Sequence, residues 1–216
     1  MDGTVTLTPA APTFTQDFAL DLDVAACNAS GYAFVSGMSQ NFNGTTFPSG
    51  WTVVDNESSG VAWDLSSNWL DDNYTGGDGD AATADSDAFG PAEFDTELIS
   101  PVLTTASMPG TYLTYLSNFQ SWSVLDHLDI DVKVDGGAWT NLLAWNEDHG
   151  SFRNAPGEAV AVDLSAAIAG STNFQLRWHY YAPALGDWNW YAQVDNIKVG
   201  DCLPIAHKLF LPLIMR

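Results

Sequence analysis

Residues 41–63 read NFNGTTFPSGWTVVDNESSGVAW, and this stretch constrains the fold more than any other. Pro48 and Gly50 interrupt any continuous pattern. Thr52, Val53 and Val54 are β-branched and suit a pleated, half-buried surface. An acidic turn follows, and the stretch closes on a second tryptophan, Trp63. A short strand set between two turns and bounded by large rings is a unit of a β-sandwich.

The rest of the chain keeps that rhythm. Residues 94–104 read as a strand, and 111–123 (TYLTYLSNFQSWS) as an aromatic, alternating central one. In 128–134, Leu128, Ile130, Val132 and Val134 alternate with Asp129, Asp131 and Lys133, the period of a strand with one buried face. Asp135-Gly136-Gly137 is hairpin chemistry, and 139–145 returns. Further strands are expected at 159–164, 174–181 and 190–199, with at most one helical turn at 165–170. Residues 64–90 read as one long acidic loop, which at that length is functional or ordered by something else. Strands of this kind at short intervals, with no long helical pattern, predict an all-β fold. With 46% apolar and 12% aromatic residues the chain can bury a sizeable core.

Charge narrows the function. Asp and Glu number 27 against 6 Lys plus Arg, for a net charge of −21. Nucleic acid is excluded as a partner, because phosphate binding needs basic groups, and an anionic membrane surface is disfavoured. The surplus acid serves either as a solvated, self-repelling surface or as a source of cation ligands, and the two are compatible. No apolar run is long enough to span a bilayer. No basic and apolar leader opens the chain, yet the acidic, Trp-rich, Lys-poor composition points to export. The sequence reads as a piece, or a processed product, of a longer secreted protein.

NFNGTTFPSGWTVVD, FDTELISPVL (94–103), LDIDVKVDGGAWTNLL (128–143) and WYAQVDNIKV (190–199) together resemble, in order, the choice-of-anchor J domain. That domain is related to the MAM domain and to the cleaved-adhesin domains of bacterial surface proteases. The resemblance covers roughly 32–202. It implies a two-sheet antiparallel β-sandwich of the jelly-roll kind, spanning 31–202. Before it, 1–30 forms a short β arm and linker, in which 4–7 and 14–20 alternate as strands do. The arm is similar to the last strands of an immunoglobulin-like or carboxypeptidase-regulatory-like module. After the sandwich, 203–216 is an apolar tail. Cys27 and Cys202 bracket the resembling domain, and the ends of a sandwich can lie close together. A disulfide is expected, closing a loop worth about 4–5 kcal/mol in the chain-entropy model; two buried thiols are the alternative. A bridge implies an oxidising compartment.

Three constellations could carry chemistry. Related jelly rolls hold an ion where oxygens of the first strand, a loop and the last strand converge. The resemblance therefore implies a structural calcium site drawn from Asn43, Asp55, Asp85, Asp87 and Asp195, against the plain reading of a solvated acidic loop. Asn41 and Asn43 stand where the family often places acids. The run DGDAATADSD lacks the spacing of an EF-hand. In 93–97, EFDTE, alternation puts Glu93, Asp95 and Glu97 on one strand face. That spacing is similar to the catalytic strand of laminarinase-like glycoside hydrolases, where two carboxyls must lie about 5–5.5 Å apart. The bland reading is a structural strand. Finally, Trp145, Trp188, Trp190 and Tyr191 sit near turns, where rings with polar tips suit a wet interface, while Trp51, Trp63, Trp139 and Trp178 read as core. His127, His149, His179 and His207 show no metal-ligand spacing. Sequons at Asn28, Asn43, Asn56 and Asn73 matter only in a glycosylating host.

The sequence thus predicts a non-catalytic, extracellular adhesion or binding module, calcium-stabilised, whose partner is a surface glycan or protein. The alternatives are a subunit that joins other copies of itself into a filament by strand addition through the arm, and a glycoside hydrolase.

Overall fold

The computed structural model describes residues 23–90, 93–122, 125–183 and 189–205. The arm at 1–22, Trp188, His207 and the tail from 206 onward lie outside the described residues. The strands are β1 (Tyr32–Gln40), β2 (Thr52–Asp55), β3 (Asp64–Leu65), β4 (Ala82–Asp85), β5 (Phe94–Ile99), β6 (Leu103–Thr104), β7 (Tyr112–Gln120), β8 (His127–Val134), β9 (Trp139–Trp145), β10 (Glu158–Asp163), β11 (Asn173–Ala182) and β12 (Tyr191–Pro204).

They form two antiparallel sheets. The first runs β10-β7-β12-β4-β3, with β1 also on β12. The second runs β2-β5-β11-β8-β9, with β6 also on β11. Strand β12 is long enough to serve two neighbours on one edge, β4 along 191–194 and β1 along 197–204. A bulge between Asp195 and Lys198 separates the two halves, and Asn196 there takes a φ of 51°. At the β8–β9 hairpin Asp135 (φ 48°) and Gly136 (φ 73°) both turn left-handed, as a tight hairpin requires.

Strict alternation builds the core. In β5 and β11 every second residue is buried and the others face out. Phe94, Leu98, Ile130, Leu176 and Trp178 of the second sheet pack on Leu113, Phe119, Val194 and Val199 of the first. Trp178 meets Tyr115 edge-on across the sheets, with centroids 5.6 Å apart. Trp63 and Trp178 are core, and Trp51 is half-buried against Trp178. Trp139 is not core: it lies on the outer face of the second sheet, under Lys133 and Arg177.

The stretch 64–90 is not one loop. Its first two residues form β3 and 82–85 form β4, and all four residues of β4 are buried. Small Ala82 and Ala84 face the core, while Thr83 and Asp85 face outward beside Gln193 and Tyr191 of β12. That outward face is itself covered, because 66–80 and 147–157 fold over it and bury Asn118, Gln120, Gln193 and Asp195. Cys27 and Cys202 are bonded, with a Cα–Cα separation of 5.6 Å, tying the linker to the end of β12. Among the described residues no helix is long and apolar enough to cross a membrane.

Candidate functional site

The outer face of the first sheet holds a cradle of oxygens. Asp195 points into it from the bulged stretch of β12 and is 0% exposed. Its Oδ2 accepts Asn73 Nδ2 at 2.9 Å, and its Oδ1 accepts its neighbour Asn196 N at 2.6 Å. Burial pushes its carboxyl up to about 6, against those two hydrogen bonds, and the charges of Asp78 and Asp80 add to the rise. Among the described residues no Lys or Arg pairs with it. The loop 76–80, GGDGD, passes directly over it. A Cβ on Gly77 would overlap Asp195 Oδ2, and one on Gly79 would overlap Asn43 Oδ1. The glycines thus let backbone approach both side-chain oxygens. Asp195 is thus a buried carboxylate without a cationic partner among the described residues, while Asp80 accepts from Ser66 Oγ at 3.0 Å and Ser67 N at 2.8 Å.

The expected calcium ligands separate into three places. Asp195 lies against Gly77 and Asn43 against Gly79 of the same loop. Asp55 closes its own turn on the second sheet, accepting Ser59 N at 3.1 Å and Gly60 N at 2.9 Å. Asp85 lies opposite Tyr191, four residues and so about 13 Å along β12 from Asp195. Asp87 is beside it, bound to Arg153. Asn73, Asp78 and Asp80 were missed, although the glycine-acid alternation of 76–80 signals a backbone in close approach to something.

The second feature lies where β4 and β7 end and β8 and β12 begin. Trp122 (53% exposed) and Phe152 (46% exposed) both set their rings edge-on to Trp190, with centroids 5.2 and 4.8 Å away. Trp190 is fixed by its own backbone: its carbonyl accepts Ser86 N at 3.0 Å, Asp87 N at 3.2 Å and Ser86 Oγ at 3.0 Å. Arg153 lies over Phe152 and donates to Asp87 Oδ2 at 2.9 Å. Its backbone N–H donates to the hydroxyl of Tyr191, which in turn donates to Asn118 Oδ1 at 3.1 Å. Behind Arg153 stand Asp71 and Asp85. Burial, then the charge of Asp71, pushes Asp85 up to about 6, and burial also raises Asp71.

Of the three described ring residues expected to bind ligand, only Trp190 stands at this rim. Tyr191 is buried and supports it from below. Trp145 is buried and stacks on His149 at 3.7 Å. Trp188 lies outside the described residues. Trp122 and Phe152 were not foreseen, because Trp122 continues the aromatic run of β7 and Phe152 is a lone ring in a polar loop.

The third feature is the EFDTE run. Asp95 and Glu97 do share the outer face of β5, while Glu93 precedes the strand and is exposed. Both carboxylates are engaged. Asp95 Oδ1 is bonded to His179 Nε2 at 2.8 Å and to Asn56 Nδ2 at 2.7 Å. Glu97 is paired with Arg177, whose Nε and Nη2 also bond Asp131 Oδ2 at 2.9 and 2.7 Å.

The fold is shared with an adhesin. The chain superposes on the K1 cleaved adhesin domain of Lys-gingipain from Porphyromonas gingivalis W83 with a TM-score of 0.52 at 19% identity, covering 75% of this chain and 96% of that domain. The K3 cleaved adhesin domain of the same protein gives 0.46 at 16% identity, covering 76% and 97%. A carbohydrate-binding module specific for non-crystalline cellulose gives 0.46 at 14% identity, covering 74% and 92%. At these identities the K1 likeness is one of fold, and the two weaker likenesses carry no argument here. No protein-family model matches the chain, and no curated protein matches it. The choice-of-anchor J resemblance rests on the sequence motifs alone.

Proposed function

We propose that this chain is a non-catalytic binding module of an extracellular protein, that it takes a glycan on the rim formed by Trp122, Phe152 and Trp190, and that calcium in the Asp195 cradle stiffens its loops. The observation that carries the reading is the rim itself. The exposed rings of Trp122 and Phe152 stand edge-on to Trp190, whose backbone carbonyl is held by Ser86 and Asp87, beside the carboxylate of Asp87 and the guanidinium of Arg153. Flat apolar faces next to fixed hydrogen-bonding groups suit a sugar ring, which is apolar on one face and polar at its edge.

The cation reading draws on Asn43 and Asp195, with Asp78 and Asp80 adjoining. A calcium ion there would supply the positive charge that the buried Asp195 lacks. The Cys27–Cys202 bond supports an oxidising, extracellular setting. Against catalysis stand the engaged carboxylates of Asp95 and Glu97, which leave neither free as acid or nucleophile.

Screening the calcium-loaded chain against immobilised polysaccharides tests the reading. Retention by at least one glycan, reduced in Trp190→Ala, is expected. Retention by none, or retention unchanged in Trp190→Ala and Trp122→Ala alike, overturns it.

A further inference from the structure

On the opposite side of the sandwich, β5 and β11 bring three metal-ligating side chains to one spot. His179 stands directly opposite Glu97 in the β5–β11 register. Asp95, two residues along β5, faces the same way. The imidazole nitrogen and one oxygen of each carboxylate all lie within 4.8 Å of one another. The side chains are sheltered but reachable, at 16% exposure for His179, 33% for Asp95 and 14% for Glu97. A cleft of about 90 Å³ lined by Glu57, Glu93, Asp95 and Tyr181 opens beside them.

Each of the three is also oriented from behind. Asn56 holds Asp95, Arg177 holds Glu97, and the ring of Tyr181 stacks on His179 with centroids 4.5 Å apart. Outer partners of this sort are what fix the ligands of a metal site. On the other flank of His179, Asp129 stands directly opposite in β8, and its Oδ1 is buried without a hydrogen-bond partner. The local surplus of carboxylates is therefore larger than Arg177 offsets, since Arg177 is already shared with Asp131.

We propose that His179, Asp95 and Glu97 form a binding site for a divalent transition ion of the zinc class, with a further position open to water. The imidazole decides the class. Calcium and magnesium take oxygen ligands, whereas a nitrogen with two carboxylate oxygens suits zinc, copper or nickel. This site is chemically distinct from the all-oxygen cradle at Asp195. Zinc bonds of about 2.0–2.2 Å require ligand atoms nearer together than 4.8 Å, so the side chains close on the ion by small rotations. The His179–Asp95 hydrogen bond gives way to two metal bonds; a proton on Nε2 shifts to Nδ1, or leaves to solvent where the ring carries two, so that a neutral imidazole binds. The signal was absent from the sequence because the ligands lie on strands 84 residues apart, as for Asp95 and His179.

Calorimetric titration with zinc chloride, on chain already saturated with calcium at neutral pH, tests the site. One ion per chain is expected, and the excess calcium should not compete. Affinity should fall at least about tenfold in His179→Ala and in Asp95→Asn, as it should in Asn56→Ala, which removes an outer partner. His127→Gln should bind as the native chain does. Circular dichroism and the zinc-free melting temperature show whether each variant folds, and the isosteric Asp95→Asn keeps the test valid if His179→Ala does not. No binding heat, displacement by calcium, or unchanged affinity in folded His179→Ala or Asp95→Asn overturns the proposal.

Discussion

Gly77 lies so close to Asp195 that a Cβ at residue 77 would overlap the carboxylate oxygen Oδ2. The loop and the buried acid are thus fitted to one another with no space for a side chain between them. The buried carboxylate has no Lys or Arg paired with it among the described residues, so a cation bound there would supply the missing charge. Chelation by EDTA should therefore lower the melting temperature, and calcium should restore it. A ligand at a hundred times its Kd contributes about 2.7 kcal/mol, equivalent to about 5–10 °C for a chain of this size. Gly77→Ala should abolish most of the calcium response. A melting curve indifferent to EDTA and calcium would remove the cradle from the functional reading.

The pH dependence follows from Asp85. Its carboxyl sits at about 6 in the folded chain, above the value of about 3.9 of an unfolded one. The folded state therefore binds this proton more tightly than the unfolded state does. The stability it contributes is complete below about pH 4 and is lost as pH rises through 6. Urea unfolding should show the native chain gaining stability between about pH 7 and pH 5, and Asp85→Asn should shrink that step by on the order of 1 kcal/mol. An identical step in the variant would show that burial does not raise Asp85 in solution.

The disulfide spans 175 residues. On the chain-entropy model a loop of that length gives about 5 kcal/mol. Cys27→Ser with Cys202→Ser should lose about 3–5 kcal/mol in denaturant unfolding. A loss below 1 kcal/mol would mean that the linker is loosely held, and alkylatable thiols in the native chain would mean that the bond is not formed.

Much of the sandwich could be read from periodicity. The hairpin at Asp135-Gly136, the alternation of 128–134 and the closing strand all stand where the pattern put them, although 191–195 of the closing strand are buried on both faces. Strand β4 escaped that logic. Its residues, Ala-Thr-Ala-Asp, are buried on both faces by the core and by the loop 66–80 together, so no polar–apolar alternation marks it. Asp85 then looked like a loop acid, when it is a strand residue under a cover. Trp139 misled for the opposite reason: a large ring in a strand reads as core, but here it lies beneath Lys133 and Arg177 on an outer face. The sites were less legible still. Cradle and rim are assembled from loops far apart in sequence, and only the glycines of 76–79 carried a local mark.

Arg177 holds Asp131 and Glu97 apart on the outer face of the second sheet. Arg177→Leu leaves two sheltered carboxylates without their cation, and should cost about 3–5 kcal/mol of stability. Denaturant unfolding near neutral pH checks this. A loss under 1 kcal/mol would show that the pair is effectively solvent-screened.

Tyr191 supports the rim through its hydroxyl, which bonds Arg153 N and Asn118 Oδ1. Tyr191→Phe leaves both groups without that partner and should cost about 1–3 kcal/mol. It should also weaken any ligand held by Trp190 without touching the ligand itself. Unchanged stability would show that water replaces the hydroxyl.

The most direct measurement is affinity electrophoresis of the calcium-loaded chain through gels containing soluble neutral polysaccharides, run beside Trp190→Ala. The native chain should be retarded by at least one polysaccharide. Trp190→Ala, with an unchanged melting temperature, should lose at least about tenfold in affinity, or 1.4 kcal/mol. Equal retardation of the native chain and a folded Trp190→Ala, or retardation of neither by any polysaccharide, would contradict the assignment of the rim as a glycan-binding surface.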